Sequence, residues 1–219
     1  MLQVVAGNLA FVAKGTLDAK TSRHLDLARL GLERCATLAR RTLRPNAEAA
    51  IERICLLEAM THLHRQCRQA CGEGIVLAID VEDDDLSIVA DPIGFENAII
   101  NLVLNAIQAM NGQGAIGISC RAAEPLDHGG ATAGRAPVVL IAVEDTGPGM
   151  PPEVASAVVE RFFTTKPGGS GHGLANVRAF VEAVGGTLDI DTGLGRGTKV
   201  TLAMPVVPRL ADGDPSLKR

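Results

Sequence analysis

Apolar side chains recur at helical spacing in the first part of the chain. One stripe occupies residues 2–13 and a second occupies residues 25–39, with a break at Gly15 between them and Pro45 after the second. Two helices joined by a short loop form an antiparallel hairpin, and leucines outside the second stripe leave another apolar side uncovered. We therefore expect residues 1–46 to form a helical hairpin that pairs with a second copy as a dimeric four-helix bundle.

The pattern changes after residue 46, where short strand-like runs alternate with helical stretches. The order predicts an α/β sandwich in which helices cover a mixed sheet over residues 47–208, so the whole chain is expected to be of the α+β class. Residues 124–136 and a tail at 209–219 are rich in Gly, Ala, Pro and charge, as is typical of mobile segments. Helices are predicted at 47–70, 92–110, 152–160 and 173–184, and strands at 75–79, 87–89, 115–122, 137–144, 187–191 and 198–204.

Charge and composition narrow the possible functions. The chain has a net charge of −4, made up of +5 in residues 1–44 and −9 in the remainder, which indicates two regions with different roles. Aromatic residues are only 2%, without Trp or Tyr, so the composition argues against binding of nucleic acid. No apolar run approaches the roughly 20 residues of a membrane span. Five scattered cysteines, without a secretory leader before them, favour a reducing, cytoplasmic setting.

Three features carry the candidate chemistry. Asn101 and Asn105 are four residues apart on a predicted helix, which places both carboxamides on one face. Residues 144–150 combine a carboxylate with glycines that let a ligand approach the backbone closely. Residues 166–174 form a Gly-rich segment that leads into a helix, where free amides can face phosphates. Each feature alone is also compatible with an ordinary turn or cap, but their order and spacing together are specific.

Five ordered motifs resemble those of the ATP-binding domain of two-component sensor histidine kinases. The N box is matched by residues 101–109, the phenylalanine box by 161–167, and the glycine boxes by 145–149, 171–175 and 195–198. The resemblance runs over residues 75–205. Residues 1–44 are similar to the dimerisation hairpin of the same family.

The resemblance implies a role for each matched residue. Asp145 would accept a hydrogen bond from the exocyclic amine of adenine, and Asn105 would offer its amide oxygen to the Mg²⁺ that accompanies ATP. Asn101 occupies the position at which hydrolytic relatives carry Glu, which favours phosphoryl transfer over hydrolysis. The further ATP contacts implied are Gly147, Gly149, Lys166, Gly171, His172, Gly173, Leu174 and Thr198.

The resemblance implies that the γ-phosphoryl group of ATP is transferred to a His and then to the receiver domain of a response regulator. It also implies a homodimer joined through the hairpin. The segment that carries the acceptor His in the family would lie before Met1, and His24 lacks the expected acidic neighbour and downstream Pro. Either the sequence is truncated or the protein has no acceptor of its own. The alternatives are an ATP-binding, kinase-like dimer that acts as a scaffold, and a hydrolase or anti-sigma-type serine kinase of the same superfamily.

A second cluster of potential ligands lies on the helix predicted at 47–70. The cluster is His62, His64, Cys67 and Cys71, of which the last three share a helical face, and this is compatible with a metal site. The apolar stripe of the same helix passes through Cys67, however. We therefore favour core cysteines with surface histidines over a metal site.

Overall fold

Three stretches of the chain, residues 51–123, 137–157 and 173–206, are described by a computed structural model. The predicted hairpin at 1–46, the predicted loop at 124–136 and the predicted tail at 209–219 lie outside the described residues. The elements in chain order are β1 (Glu52–Cys55), α1 (Leu56–Cys71), β2 (Ile75–Val81), β3 (Ser87–Ala90), α2 (Pro92–Ala109), β4 (Gly114–Ala123), β5 (Val138–Asp145), α3 (Pro152–Ala157), α4 (Gly173–Ala183), β6 (Thr187–Thr192) and β7 (Thr198–Pro205).

Five of the strands form one mixed sheet in the order β2-β4-β5-β7-β6. β2 and β4 are parallel, and every other neighbouring pair in this sheet is antiparallel. β1 and β3 pair with each other as a separate antiparallel ribbon. The expectation of a mixed sheet combined with helices is confirmed.

The helices pack on one face of this sheet, and the strand sequences show why. Along β5, the side chains of Val139, Ile141, Val143 and Asp145 are buried. Glu144, which lies between the last two, is exposed. β7 alternates in the same way, with its buried residues facing those of β5. α1, α2 and α4 supply the opposite side of the core. Among the described helices, none combines the length and apolar character needed to cross a membrane.

α2 is the central helix of the core, and its sequence explains both its start and its burial. The Asp91 side chain accepts hydrogen bonds from the backbone N–H groups of Ile93 at 3.2 Å and Gly94 at 2.9 Å, and Pro92 occupies the first turn, where its missing donor costs little. Nine residues of this helix are buried, including Phe95, whose ring lies 6.4 Å from that of Phe180 on α4. α2 and α4 therefore have a fixed relation to each other.

The helix predicted from residue 47 begins later than expected. Residues 52–55 form strand β1, which pairs with β3, and the helix starts at Leu56. The prediction was wrong here because four residues are too few to show a period, and the pairing partner lies more than 30 residues away in the sequence. Burial of Ile54 against the core is a tertiary effect that the local sequence does not reveal.

The other predicted strands and helices in the described ranges are confirmed to within one or two residues at each end. α3 ends at Ala157 in the described residues, and the remainder of the helix predicted to residue 160 lies outside them.

We expect Asp91→Ala to lower the free energy of unfolding by about 1 kcal/mol, since two N–H groups in the first turn of α2 would lose their acceptor. Urea denaturation of the full chain measures the change. Asp91→Asn, which keeps a side-chain oxygen at the cap, is the matched control and should retain most of the stability. Equal losses in the two variants would contradict the capping role.

Candidate functional site

Three polar residues lie side by side across the inner face of the sheet, at one end of its strands. Asp145 on β5 is opposite Thr198 on β7, and Thr198 is opposite Thr192 on β6. Side chains of directly paired residues lie on the same face of a sheet. This polar row, defined as Asp145, Thr198 and Thr192, interrupts an otherwise apolar face and is the first indication of a binding site.

Asp145 is a buried carboxyl group held by the backbone around it. Its Oδ1 accepts a hydrogen bond of 2.7 Å from the N–H of Gly147, and the backbone N–H of Thr198 also donates to the carboxylate. Burial raises the pKa of Asp145 above its usual value and the nearby Glu144 adds to this rise, whereas the two backbone donors oppose it by stabilising the ionised form. The result is a fixed hydrogen-bond acceptor at the end of β5.

The glycine loop after β5, residues 146–150, is anchored on the turn between β6 and β7. The N–H of Gly195 donates to the carbonyl oxygen of Pro148 at 2.8 Å, and the N–H of Met150 donates to Thr192 Oγ1 at 3.0 Å. Gly149 has a φ of 67° and Gly197 a φ of 75°, and a β-carbon at either position would collide with a backbone carbonyl oxygen across the contact. These two glycines allow the loop and the turn to approach closely.

The two asparagines of the N box lie beside the start of α4. A β-carbon built on Gly173 would lie 3.6 Å from Asn101 Oδ1 and 3.6 Å from Asn105 Nδ2. Asn101 is buried, and Asn105 is partly exposed. The first residue of α4 therefore faces both carboxamides, with its own next residue, Leu174, buried in the core.

One face of α2 connects the asparagines to the glycine loop. Ala109 follows Asn105 by four residues and so lies on the same face one turn further along. A β-carbon on Gly147 would be 3.6 Å from the Ala109 Cβ. One face of α2 carries the two carboxamides. The start of α4, the glycine loop and the carboxylate end of β5 lie along this same face.

Two further residues hold the loop against the end of α2. Thr146 Oγ1 accepts a hydrogen bond of 3.0 Å from the N–H of Ala115 and lies 3.6 Å from the sulfur of Met110. The backbone N–H of Thr146 donates to the carbonyl oxygen of Ala115 at 3.1 Å. The loop is fixed on both sides, by β4 and α2 at its start and by the β6–β7 turn at its end.

The structure locates eight of the eleven residues that the sequence predicts for the site. Those in the described ranges are Asn101, Asn105, Asp145, Gly147, Gly149, Gly173, Leu174 and Thr198. Lys166, Gly171 and His172, together with the phenylalanine box at 161–167, lie outside the described residues.

The sequence of the domain matches a known family over the stretch that builds this site. The profile of the Histidine kinase-, DNA gyrase B-, and HSP90-like ATPase family matches residues 90–208. The chain belongs to this family. The resemblance to histidine kinase ATP-binding domains found in the motifs is confirmed, and the matched range of this ATPase family contains every residue predicted for the site.

Individual relatives of this ATPase family agree. The sensor histidine kinase ZraS of Klebsiella oxytoca is 34% identical over 152 residues, which are 69% of this chain and 30% of ZraS. The sensor kinase CckA of Brucella abortus is 33% identical over 171 residues, which are 76% of this chain and 18% of CckA. The solved structure of the mycobacterial sensor histidine kinase MprB has a TM-score of 0.59 at 26% identity and covers 73% of this chain and 99% of the solved one. The chain spans less than a third of the length of these two curated relatives.

The potential ligands on α1 are part of the core or of the surface. Cys67 and Cys71 are buried, and burial raises the pKa of Cys67 to about 12, which keeps it a neutral thiol at physiological pH. His62 is exposed, with its Nε2 2.7 Å from Gln66 Nε2, and His64 is partly exposed. Core cysteine with surface histidine is therefore the better account of this stretch.

Sequence reasoning missed the residues that hold the site together. Thr192, Thr146, Met110 and Met150 connect elements that are distant in the chain, and none of them is among the predicted site residues, although Thr146 lies within the glycine box at 145–149. A signal for Thr192 does exist, because it directly follows the strand predicted at 187–191, at the start of a turn with three glycines, and has a hydroxyl suited to bonding turn backbone.

The raised pKa of Asp145 predicts a pH-dependent stability difference. The native state holds the Asp145 proton more tightly than the unfolded chain, so ionisation of this group costs stability once the pH rises above the ordinary value of 3.8 and through the native pKa. We expect Asp145→Asn, which removes this ionisation, to gain stability over the wild type as the pH rises from about 4 towards neutrality. Thermal unfolding of both proteins over this range measures the difference, and a constant difference would contradict the expectation.

Proposed function

We propose that this chain is the catalytic core of a sensor histidine kinase. It binds ATP with Mg²⁺ and transfers the γ-phosphoryl group to a histidine nitrogen, from which the aspartate of a response-regulator receiver domain takes it. In the transfer the nitrogen forms a bond to the γ-phosphorus while the bond to the β,γ-bridging oxygen breaks and ADP leaves. Family membership and the sensor kinases among the relatives support this proposal.

The observation that carries the proposal is the arrangement around one face of α2. A buried carboxylate, two carboxamides and the start of an 11-residue helix surround the same face. A carboxylate accepts from the exocyclic amine of adenine, and a helix N-terminus favours phosphate. The order of these groups along α2 thus suits a ligand with an adenine at one end and phosphates at the other.

Asp145 recognises the base in this proposal. Its carboxylate is oriented by the N–H of Gly147 and by the backbone of Thr198, so the adenine amine meets an acceptor that needs no reorganisation. Guanine has a carbonyl oxygen at the same position, which a carboxylate repels. Gly147 and Gly149 shape the wall beside the base, and Thr198 supports Asp145 from the neighbouring strand.

The asparagines serve the phosphate end. Asn105 is partly exposed and has an amide oxygen, a hard donor of the kind that Mg²⁺ accepts, so the residue fits a magnesium ion. When bound, Mg²⁺ neutralises charge on the phosphates. Asn101, buried beside Gly173, has no side-chain group able to deprotonate water, which favours transfer over hydrolysis. Gly173 and Leu174 at the start of α4, with Lys166, Gly171 and His172 before it, hold the phosphates.

The partners follow from the same proposal. Residues 1–46 form the dimerisation hairpin, whose positive charge contrasts with the acidic remainder of the chain. The dimer presents the hairpin surface to a response-regulator receiver domain in the cytoplasm.

Asp145→Asn should weaken ATP binding by at least about tenfold, because the amide replaces a pure acceptor by a group that also donates. Isothermal calorimetry of the full chain measures the affinity. Asp191→Asn, an exposed carboxylate on β6, is the matched control and should bind ATP as the wild type does. Unchanged affinity of the Asp145 variant would contradict the assigned pocket.

Phosphoryl transfer is tested with γ-labelled ATP and Mg²⁺. The full chain is incubated alone and with a separate histidine kinase hairpin that carries an acceptor His, and we expect label on that hairpin. Asn105→Ala should abolish the label, whereas Gln108→Ala, on the exposed side of α2, should not. ATP binding without label on either protein would support the scaffold alternative, and release of labelled phosphate without transfer would support a hydrolase.

A further inference from the structure

Thr192 lies at the end of the polar row furthest from Asp145 and makes three contacts through one hydroxyl group. Its Oγ1 is 3.0 Å from the backbone nitrogen of Met150, 2.9 Å from the carbonyl oxygen of Gly197 and 3.1 Å from Thr198 Oγ1. A threonine hydroxyl has one proton to donate and two lone pairs to accept with. The three contacts therefore use its whole hydrogen-bonding capacity.

The direction of each of these bonds is fixed by chemistry. The N–H of Met150 can only donate, so it uses one lone pair of Thr192. The carbonyl oxygen of Gly197 can only accept, so it takes the single proton of Thr192. The remaining contact joins two hydroxyl groups, and since the proton of Thr192 is committed, the hydroxyl of Thr198 must be the donor.

This assignment leaves Thr198 without a free proton. Its backbone N–H donates to Asp145 and its hydroxyl donates to Thr192, so the Thr198 oxygen offers only lone pairs to any ligand beside Asp145. Two neighbouring acceptors, the Asp145 carboxylate and the Thr198 oxygen, then face the base. Such a pair favours a base edge that brings N–H donors and disfavours one that brings a carbonyl oxygen.

We infer that Thr192 is a positioning residue for base selectivity, which acts by fixing the Thr198 hydroxyl as an acceptor and by anchoring the glycine loop at Met150. This inference rests on the proposed nucleotide site. Thr192 itself is separated from Asp145 by Thr198 and acts through that residue. Without the hydroxyl of Thr192, the proton of Thr198 is released and can be donated to a purine carbonyl.

The test compares the affinities of the full chain for ATP and for inosine triphosphate, which has a carbonyl oxygen in place of the adenine amine. We expect the wild type to prefer ATP, and Thr192→Val, which keeps the shape and removes the hydroxyl, to lower the ATP-to-inosine triphosphate affinity ratio by roughly three- to tenfold. Thr192→Ser keeps the hydroxyl and should restore the wild-type ratio. Thr187→Val, an exposed position on the same strand, is the matched control and should leave the ratio unchanged.

Two further measurements separate positioning from packing. Hydrogen exchange of the Met150 amide should become faster in Thr192→Val than in Thr192→Ser, because only the valine removes its acceptor. Thermal unfolding reports any general loss of stability. Such a loss would weaken the binding of both nucleotides alike and leave the affinity ratio unchanged. Should the valine variant not fold, Thr192→Ala supplies the same comparison.

The outcomes distinguish this inference from the proposed function. A wild type that binds neither nucleotide overturns both. A wild type that prefers ATP, with the same preference in Thr192→Val, overturns the positioning role alone. Equal changes in Thr192→Val and Thr192→Ser would also overturn it, since the hydroxyl would then not be the group that matters.

Discussion

A buried carboxylate at the end of a central strand is the constraint around which this domain is built. Asp145 lies where β5 leaves the sheet, and a charge there is tolerated only because backbone N–H groups point at it. One of these groups comes from the loop that follows and the other from the neighbouring strand β7. The glycine loop must therefore bring the N–H of Gly147 back to the Asp145 carboxylate, and the β6–β7 turn must pack against this loop. The positive φ of Gly149 and of Gly197 follows from this requirement, since a side chain at either position would collide with the neighbouring backbone.

α2 contributes both to the hydrophobic core and to the candidate site. Nine of its 18 residues are buried, all but Asn101 of them apolar, and one face carries Asn101, Asn105 and Ala109 towards the start of α4 and the glycine loop. The carboxylate of Asp91 caps the first turn of the helix, and the ring contact between Phe95 and Phe180 joins the helix to α4. Because the same helix contributes to the core and to the site, hydrophobic packing helps to position the polar groups that the helix carries.

Sequence alone predicts much of this arrangement, for reasons that differ from element to element. The period of two in β5 and β7 and the capped apolar helix α2 are local patterns, so their positions were predicted to within one or two residues. The site residues stood out because their chemistry is unusual for their surroundings: amides on an apolar helix and glycines beside a carboxylate. β1 was missed because its four residues owe their conformation to a distant partner. Thr192 was missed because its importance comes from three contacts that exist only in the folded chain.

β2 and β4 form the one parallel pair in the described sheet, and parallel pairing across a long connection is intrinsically slow. The connection between them contributes to the site. β2 and β4 run in the same direction, so the chain between them must cross over, and that crossing contains β3 and α2. Closing such a long connection carries an entropic cost that neighbouring hairpins such as β6–β7 avoid. The helix with both asparagines therefore lies within the long connection that joins an edge strand to an interior strand. We expect the hairpins to form early and nucleotide-binding competence to arise last, in one concerted step with closure of this crossover.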